Sequence, residues 1–255
     1  MTEQVATYPS LAHRSVLVTG GGSGIGAEIV RQFARQGSQV AFLDIDADAS
    51  EALAEELTAA GGAVTFYRCD VTDTHRLRET IAAAAAVQGP ITILINNAAN
   101  DQRHPMDEVT PEYWDDRMAV NLKHQFFAAQ AVAPGMRAAG GGAIVNLGSI
   151  SWMVGQGGMP GYTASKSGVL GLTRSLARDL GPDGTRVVCL VPGWIMTQRQ
   201  LDNWLTPEAE ADLMKAQCLK QKLYPIDIAR PVLFLASDEA RGCTGQHYIV
   251  DAGWH

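Results

Sequence analysis

Tyr162 and Lys166 are the residues of the segment GYTASKSGVLG whose side chains could carry out acid–base chemistry. They stand four positions apart, so that in a helix both side chains lie on one face. The surrounding small residues let other groups approach closely. The spacing alone is more typical of an exposed surface pair, so that a catalytic role depends on the rest of the chain.

Two further polar residues precede this pair. Ser149 ends the strand-like run AIVNLGS, thirteen residues before Tyr162, and Ser151 is a rival whose offset fits less well. Asn121 lies within the helical pattern MAVNLKHQFF. Because its amide competes for backbone hydrogen bonds, asparagine is a poor residue inside a helix. Asn121 therefore indicates either a surface position or a functional kink.

Short apolar runs that alternate with amphipathic stretches provide the elements that must position these side chains. Strands are predicted over 15–20, 39–44, 63–68, 91–96, 143–148, 186–191 and 247–252, and helices over 25–36, 48–60, 73–87, 111–139, 162–180 and 226–237. The alternation predicts an α/β fold, a doubly wound parallel seven-stranded sheet of the Rossmann type in one domain, 1–255. The insertion at about 193–224 follows a strand end, where such folds bind ligands.

The bulk properties exclude several function classes. A chain of 255 residues with a net charge of −7 and no basic run is not expected to bind nucleic acid. The four cysteines lie far apart, so that neither a zinc site nor a disulfide framework is expected. The N-terminal segment has no apolar signal core, and no stretch of about 18 residues is apolar throughout. We expect a cytoplasmic protein that binds no membrane and no metal.

A glycine-rich turn, VLVTGGGSGIGAEIV, joins the first predicted strand to the first predicted helix. Gly20, Gly24 and Gly26 permit a tight turn and leave room for a pyrophosphate to approach the N–H groups of the helix N-terminus. Because the turn opens a βαβ unit, it predicts dinucleotide binding rather than a simple loop.

Asp44 ends the second predicted strand and bears on the choice of cofactor. A carboxylate there can accept hydrogen bonds from an adenosine ribose and would repel a 2′-phosphate. Asp48 and Glu51 fit a capping box for the next helix, which leaves Asp44 free for the ribose. No Arg or Lys occurs at 20–24 or 43–48. The sequence therefore predicts NAD rather than NADP.

The glycine spacing TGGGSGIG resembles the TGxxxGxG turn of the short-chain dehydrogenase/reductase family. Further motifs of that family follow in order: Asn96-Asn97-Ala98, Asn121, Ser149, Tyr162-x-x-x-Lys166, and Pro192-Gly193 with Thr197. The resemblance runs from about residue 14 to the C-terminus, and Ala99 replaces the family's usual glycine. It implies an oxidoreductase that transfers a hydride between a CH–OH group and a nicotinamide cofactor.

The resemblance also implies a role for individual residues. The catalytic set would be Asn121, Ser149, Tyr162 and Lys166, in which Ser149 holds the substrate oxygen and Asn121 holds a water linked to Lys166. Asp70 and Val71 would flank the adenine, although from its spacing alone Asp70 could equally cap the following helix. Cofactor contacts are implied for Gly20, Ser23, Gly24, Ile25, Gly26, Asp44, Asp70, Val71, Asn97, Tyr162, Lys166, Pro192, Ile195 and Thr197.

In this family context the catalytic interpretation of the Tyr162 phenol is favoured. Lowering its pKa from about 10 to about 7 requires about 4 kcal/mol, which one cation at about 4 Å supplies at an effective dielectric constant of 20. Lys166, the helix N-terminus and a positively charged nicotinamide all act in that direction. We expect Tyr162 to be a base near neutral pH.

Three functions are consistent with these motifs. An NAD-linked dehydrogenase is favoured over a ketone or 3-ketoacyl reductase, which would be expected to have a basic NADP site. A nucleotide sensor without catalysis should lack one of the four catalytic residues. The family also implies a homotetramer, in which the C-terminal DAGWH segment could reach a neighbouring subunit.

Variable loops carry the substrate prediction. Polar residues interleaved with tryptophan suit a sugar better than a lipid, because hydroxyls need hydrogen bonds whereas lipid sites are mostly apolar. Any one of these tryptophans, taken by itself, is explained as well by ordinary packing as by contact with a sugar. The predicted substrate contacts are Asn100, Arg103, His104, Ser149, Trp152, Gln156 and Trp194.

A second resemblance narrows the substrate class. The segments NDQRH, AVAPGMR, GSISW, AQCLK and TGQHYIVDAGW resemble those of bacterial NAD-dependent D-xylose 1-dehydrogenases within the same family. That resemblance implies oxidation of the anomeric carbon of a free aldose to a lactone. Differences after GSISW and at Trp194 leave the sugar open among D-xylose, L-arabinose, L-fucose, L-rhamnose and D-galactose.

Overall fold

Seven parallel strands form one sheet in the computed structural model, which describes residues 5–255. Residues 1–4, part of the segment expected to lack a signal core, lie outside the described residues. The strands are β1 Ser15–Thr19, β2 Gln39–Asp44, β3 Ala63–Arg68, β4 Ile93–Asn96, β5 Gly142–Leu147, β6 Thr185–Pro192 and β7 His247–Val250. They are ordered β3-β2-β1-β4-β5-β6-β7. This arrangement confirms the predicted fold, and the strand limits agree with the prediction to within two residues.

Helices cover both faces of the sheet. They are α1 Gly24–Arg35, α2 Ala47–Ala59, α3 Thr74–Gln88, α4 Pro111–Met118, α5 His124–Ala138, α6 Pro160–Leu180, α7 Gln198–Asn203, α8 Pro207–Ala216 and α9 Pro225–Ala236. One core packs α1 and α9 against the sheet, and a second packs α3 and α5 against its other face. The central strands are buried on consecutive residues because helices cover both of their faces.

Two local predictions are wrong in instructive ways. The predicted helix 111–139 is interrupted by a π-helical turn, Ala119–Lys123, so that α4 and α5 are separate helices. Helix α2 is capped by Asp46, whose carboxylate accepts from the N–H of Ala49, rather than by Asp48. Asp46 takes the cap because the chain enters the helix two residues earlier than the predicted capping box requires.

The position of β1 determines where a ligand can bind. β1 pairs with β2 on one side and with β4 on the other, so that the strand order reverses there. In open α/β sheets, ligands bind beyond the carboxyl ends of the strands at such a reversal. The glycine-rich turn follows β1, and Asn97 follows β4, so both lie at this point. Within residues 5–255, no helix is long and apolar enough to cross a membrane.

Candidate active site

The glycine-rich turn forms a cradle that side chains would fill. Gly20 has φ +64°, and a Cβ there would lie 2.8 Å from the Cα of Ala98. A Cβ on Gly26 would lie 1.9 Å from the carbonyl oxygen of Gly20. Because these positions admit no side chain, the turn brings its own backbone and the N-terminus of α1 close to any ligand above it. The cradle therefore fits the pyrophosphate of a dinucleotide.

Asn97 connects the turn to the neighbouring strand. Its Nδ2 donates to the carbonyl oxygens of Thr19 at 3.0 Å and Gly20 at 2.8 Å. Its backbone N–H donates to Oγ1 of Thr19 at 3.0 Å. Asn97 thus holds the ends of β1 and β4 together and lines the cavity described below. Its contact with a cofactor stays a prediction.

Asp44 is less free than the sequence suggested. One carboxylate oxygen accepts from the N–H of Gly22 at 2.8 Å, and the other accepts from the N–H of Asp46 at 3.0 Å. Each oxygen keeps further acceptor capacity for a ribose hydroxyl. The next strand also places Arg68 in register with Asp44, and this cation lies outside residues 20–24 and 43–48.

The loop after β3 contains the predicted adenine contacts. The carboxylate of Asp70 accepts from the N–H and the hydroxyl of Thr72, at 2.9 and 2.7 Å. Helix α3 is capped by Asp73 instead. Asp70 therefore does not cap α3, and Val71 beside it is buried. Neither observation tests a contact with adenine.

The π-helical turn supplies the kink predicted at Asn121. The Asn121 side chain is fully buried, and its Oδ1 accepts from the backbone N–H of Asn100 at 2.8 Å. Its Nδ2 donates to the carbonyl oxygens of Asn100 at 3.1 Å and Arg117 at 2.9 Å. Asn121 thereby fixes the loop after β4 to the kink. The predicted water between Asn121 and Lys166 stays a prediction.

Small residues explain how closely α6 approaches its neighbours. Pro160 occupies the first turn of α6, where a missing N–H costs nothing. A Cβ on Gly161 would lie 3.2 Å from Cβ of Arg117, and one on Gly168 would lie 3.0 Å from Cδ2 of Leu122. The helix can therefore pack tightly on α4 and the π-helical turn, which brings its Tyr–Lys face to the end of β5.

Tyr162, Lys166 and Ser149 come together at the carboxyl end of β5. The Nζ of Lys166 lies 5.6 Å from the ring centroid of Tyr162 and donates to the carbonyl oxygen of Leu147 at 2.8 Å. The Ser149 hydroxyl is hydrogen-bonded to the phenol, and its Oγ also accepts from the N–H of Ser151 at 3.1 Å. Lys166 is buried, with 1% of its surface exposed. The pair is not the exposed surface pair that spacing alone favoured.

Burial dominates the electrostatics of this cluster. It raises the pKa of the Tyr162 phenol above its ordinary value, although the Ser149 hydrogen bond acts to lower it. Burial also lowers the pKa of Lys166 to about 8, although Cys189 and Asp101 act electrostatically to raise it. The expectation that Lys166, the helix N-terminus and a bound nicotinamide together bring the phenol pKa near neutral stays a prediction, because burial is the largest influence on the phenol of the protein alone.

A cavity of about 550 Å³ opens above this cluster. Eleven of the predicted site residues line it: Ile25, Asn97, Arg103, Ser149, Gln156, Tyr162, Lys166, Pro192, Trp194, Ile195 and Thr197. Gly20, Ser23, Gly24, Gly26, Asp44, Asp70 and Val71 lie outside the lining, around the ends of β1, β2 and β3. The two sets form one continuous arrangement from the nucleotide end to the catalytic end.

Three predicted substrate contacts are absent from the cavity lining. Asn100 accepts from the N–H of Gln102, and Nδ1 of His104 lies 2.8 Å from the Tyr113 hydroxyl. Trp152 has a buried indole N–H without a hydrogen-bond partner in the described part of the chain. Their roles toward substrate stay predictions.

Several residues of the lining escaped the sequence prediction. Asp101 lies in the loop after β4, Gln200 belongs to the insertion, and Leu213 lies on α8. Trp254, in the C-terminal segment expected to reach a neighbouring subunit, lines the cavity of its own chain. The alternation of polar residues and tryptophan in the insertion is the one sequence signal that could have identified part of this set.

Comparisons with known proteins agree with this site. The family model described as Enoyl-(Acyl carrier protein) reductase matches residues 20–255. D-xylose 1-dehydrogenase of Caulobacter vibrioides is 51% identical over 249 residues, which cover 98% of each chain. The probable galactose dehydrogenase GalD of Rhizobium meliloti is 47% identical over 254 residues, which cover 99% of each chain.

Solved structures show the same architecture. The crystal structure of a putative short-chain alcohol dehydrogenase from Sinorhizobium meliloti matches with a TM-score of 0.91 at 32% identity, covering 96% of this chain and 98% of that one. A short-chain type dehydrogenase/reductase from Mycobacterium ulcerans also has a TM-score of 0.91, at 27% identity, covering 98% and 91%.

Proposed function

The chain belongs to the short-chain dehydrogenase/reductase family and is an oxidoreductase, and we propose that it is an NAD-dependent aldose 1-dehydrogenase. It would oxidise the anomeric carbon of a free aldose to an aldonolactone. The observation that carries the proposal is the cavity, which has Ser149, Tyr162 and Lys166 at its floor and Arg103 and Trp194 in its wall. The names of the D-xylose and galactose relatives support the same substrate class.

The residues at the floor suit proton abstraction from an alcohol. Tyr162 would take the proton of the anomeric hydroxyl, while Ser149 donates a hydrogen bond to the anomeric oxygen. Lys166 would stabilise the phenolate. Because burial raises the phenol pKa, the positive charge of Lys166 is needed to favour ionisation of the phenol. A bound NAD would supply the hydride acceptor, and its oxidised ring would bring a positive charge near the phenol before the hydride arrives. Ile25, Pro192, Ile195 and Thr197 line the side of the cavity suited to hold that ring.

The rim of the cavity supports a sugar rather than an acyl thioester. Arg103 lies over the Trp204 ring at 4.0 Å, and Nε1 of Trp194 donates to Oε1 of Gln200 at 2.8 Å. Indole faces with donors and acceptors beside them match the hydroxyls and C–H faces of a sugar ring. All four catalytic residues of the family motif are present, which argues against a sensor without catalysis.

The test is turnover across a substrate panel. Reduction of NAD at 340 nm should show at least one aldopentose or aldohexose with kcat/KM well above those of polyols, sugar acids and secondary alcohols. A true substrate usually reaches about 10⁴ M⁻¹s⁻¹ or more. The proposal fails if every aldose stays below about 10 M⁻¹s⁻¹ while a non-sugar alcohol or a 3-ketoacyl thioester turns over well.

The preference for NAD rests on Asp44. Its charge would repel a 2′-phosphate, so that kcat/KM with NAD should exceed that with NADP by at least about tenfold. Asp44→Asn removes the charge beside Arg68 and should lower that ratio about tenfold. Asp46→Asn, two residues away, is the matched control, because asparagine also caps a helix. A wild-type enzyme that prefers NADP would contradict this assignment of Asp44.

A homotetramer and a cytoplasmic location stay part of the proposal. Trp114 on α4 and Phe126 on α5 leave 38% and 39% of their surfaces exposed. The family resemblance implies tetramers built partly from helices that match 111–139 and 162–180, and both residues belong to the first of these stretches. Light scattering at micromolar concentration should give four times the chain mass, and a monomer would contradict the assembly.

A further inference from the structure

The wall of the cavity contains a carboxylate, Asp101, that has no role in the proposed proton abstraction. Asp101 belongs to the loop after β4, and a quarter of its side chain is exposed. Its Oδ2 accepts from Nε2 of Gln200 at 2.7 Å, and its Oδ1 accepts from Nε of Arg199 at 3.2 Å. Both partners lie on α7, so that the loop and the insertion meet at this carboxylate.

The hydrogen bonds around Asp101 have a fixed direction. An indole N–H can only donate, so the Trp194 ring requires the amide oxygen of Gln200. The amide nitrogen is then left facing Asp101 and requires an acceptor. The chain from Trp194 through Gln200 therefore holds Asp101 as a hydrogen-bond acceptor in the cavity wall.

Asp101 retains the capacity to bind a ligand. An ionised carboxylate has about four acceptor positions, and the protein uses two of them here. Arg199 offsets part of the charge, but 55% of its side chain is exposed and its field is screened by solvent. The negative charge of Asp101 nevertheless reaches Tyr162 and Lys166. It adds to the effect of burial in raising the pKa of Tyr162 and opposes the effect of burial in lowering the pKa of Lys166.

We propose that Asp101 selects neutral sugars over acidic ones. Its carboxylate accepts a hydrogen bond from a ring hydroxyl of a neutral sugar and repels sugars that carry a carboxylate. This inference rests on the proposed aldose dehydrogenase function. A sugar presents several hydroxyl donors, and hydrogen bonds to charged acceptors are stronger than neutral ones. A uronate carboxylate placed near Asp101 would be repelled. The competing cation in the lining is Arg103, which would instead favour an acidic sugar.

The test compares D-galactose with D-galacturonate, which share ring hydroxyls and differ at C6. Each is measured as a substrate and as a competitive inhibitor of the best aldose. Asp101→Asn should raise KM for the best aldose roughly tenfold or more, as expected for losing a hydrogen bond to a charged group. The same substitution should also raise the affinity for galacturonate relative to that for galactose at least about tenfold. Asp202→Asn on α7 makes the same charge change outside the cavity lining and should alter neither quantity.

A second variant separates charge from position. Gln200→Leu keeps the carboxylate but removes one of its two partners, so KM should rise while the preference for galactose over galacturonate persists. If wild type oxidises aldoses and Asp101→Asn leaves the galacturonate-to-galactose ratio unchanged, the inference on Asp101 is overturned and the proposed function stands. A wild-type preference for galacturonate would also overturn it and would favour recognition by Arg103. If wild type oxidises no aldose, the proposed function itself fails.

Discussion

Lys166 and Asp101 are charged groups of the same cavity, yet the protein holds them in different ways. Lys166 is buried and donates to a backbone carbonyl at the end of β5. Asp101 is partly exposed and is held by side chains of a separate helix. A backbone partner persists whatever side chains the loops carry, whereas the Asp101 contacts require particular residues at 199 and 200. The floor of the cavity, Ser149, Tyr162 and Lys166, is therefore suited to one unchanging reaction. The rim, formed by Asp101, Arg103, Trp194, Gln200 and Trp204, is suited to selecting different substrates.

The largest effect is expected at the floor. Tyr162→Phe removes the proton acceptor and should lower kcat at least about 100-fold, the low end for losing a positioned acid–base group. The affinity for NAD, measured by fluorescence titration, should change less than about threefold. Tyr113→Phe removes a hydroxyl that contacts His104 outside the cavity lining and is the matched control. If Phe at 162 retained turnover, the division between floor and rim would fail.

A second effect is expected at a histidine buried near Lys166. His124 begins α5 and is fully buried. Burial and the charge of Lys166 lower its pKa to about 3. Below pH 6.5 the unfolded chain takes up a proton at this residue that the native chain does not, so stability falls as the pH falls from about 6.5 toward 3.

The measurement is the free energy of unfolding in urea. Between pH 7 and pH 4.5, wild type should lose roughly 2–3 kcal/mol more stability than His124→Gln, because only wild type has this buried group. His75→Gln, which changes an exposed histidine on α3, controls for the loss of one imidazole. Equal acid sensitivity in wild type and His124→Gln would contradict the lowered pKa of His124.

The smallest effect is expected at the rim. Arg103 stacks over Trp204 in a partly exposed position, where such contacts contribute about 0.5–1 kcal/mol. Trp204→Leu should therefore raise KM for the best aldose about two- to fivefold and leave kcat nearly unchanged. A double-mutant cycle with Arg103→Met isolates the contact, because the second change should cost little once the first is made. A large fall in kcat would place Trp204 with the floor.

The floor was predictable because its signals are local. The apolar runs, the glycine-rich turn and the Tyr–Lys spacing each depend on a few consecutive residues. The kink at Asn121 was predictable for the same reason, since an amide inside a helix pattern has few structural uses. The cap of α2 was misplaced because Asp46 and Asp48 both resemble capping residues, and only the path of the chain decides between them.

The rim was less predictable because its contacts join distant segments. Asp101 and Gln200 are 99 residues apart, and their hydrogen bond exists only because the loop after β4 and the insertion fold over one cavity. The burial of the phenol was unpredictable for a related reason, because the sequence shows the neighbouring cation but not how far the fold removes the phenol from water. Spacing reveals which groups are present, whereas desolvation depends on the complete fold.

The most direct test of the central claim follows a deuterium at C1 of the substrate. An aldose identified by the panel, such as D-xylose or D-galactose, is prepared with deuterium at C1 and incubated with the enzyme and NAD. The account predicts that the reduced cofactor carries the deuterium, that the aldonolactone contains none, and that turnover shows a primary isotope effect. Reduced cofactor without deuterium, together with a sugar product that retains it at C1, would contradict oxidation at the anomeric carbon.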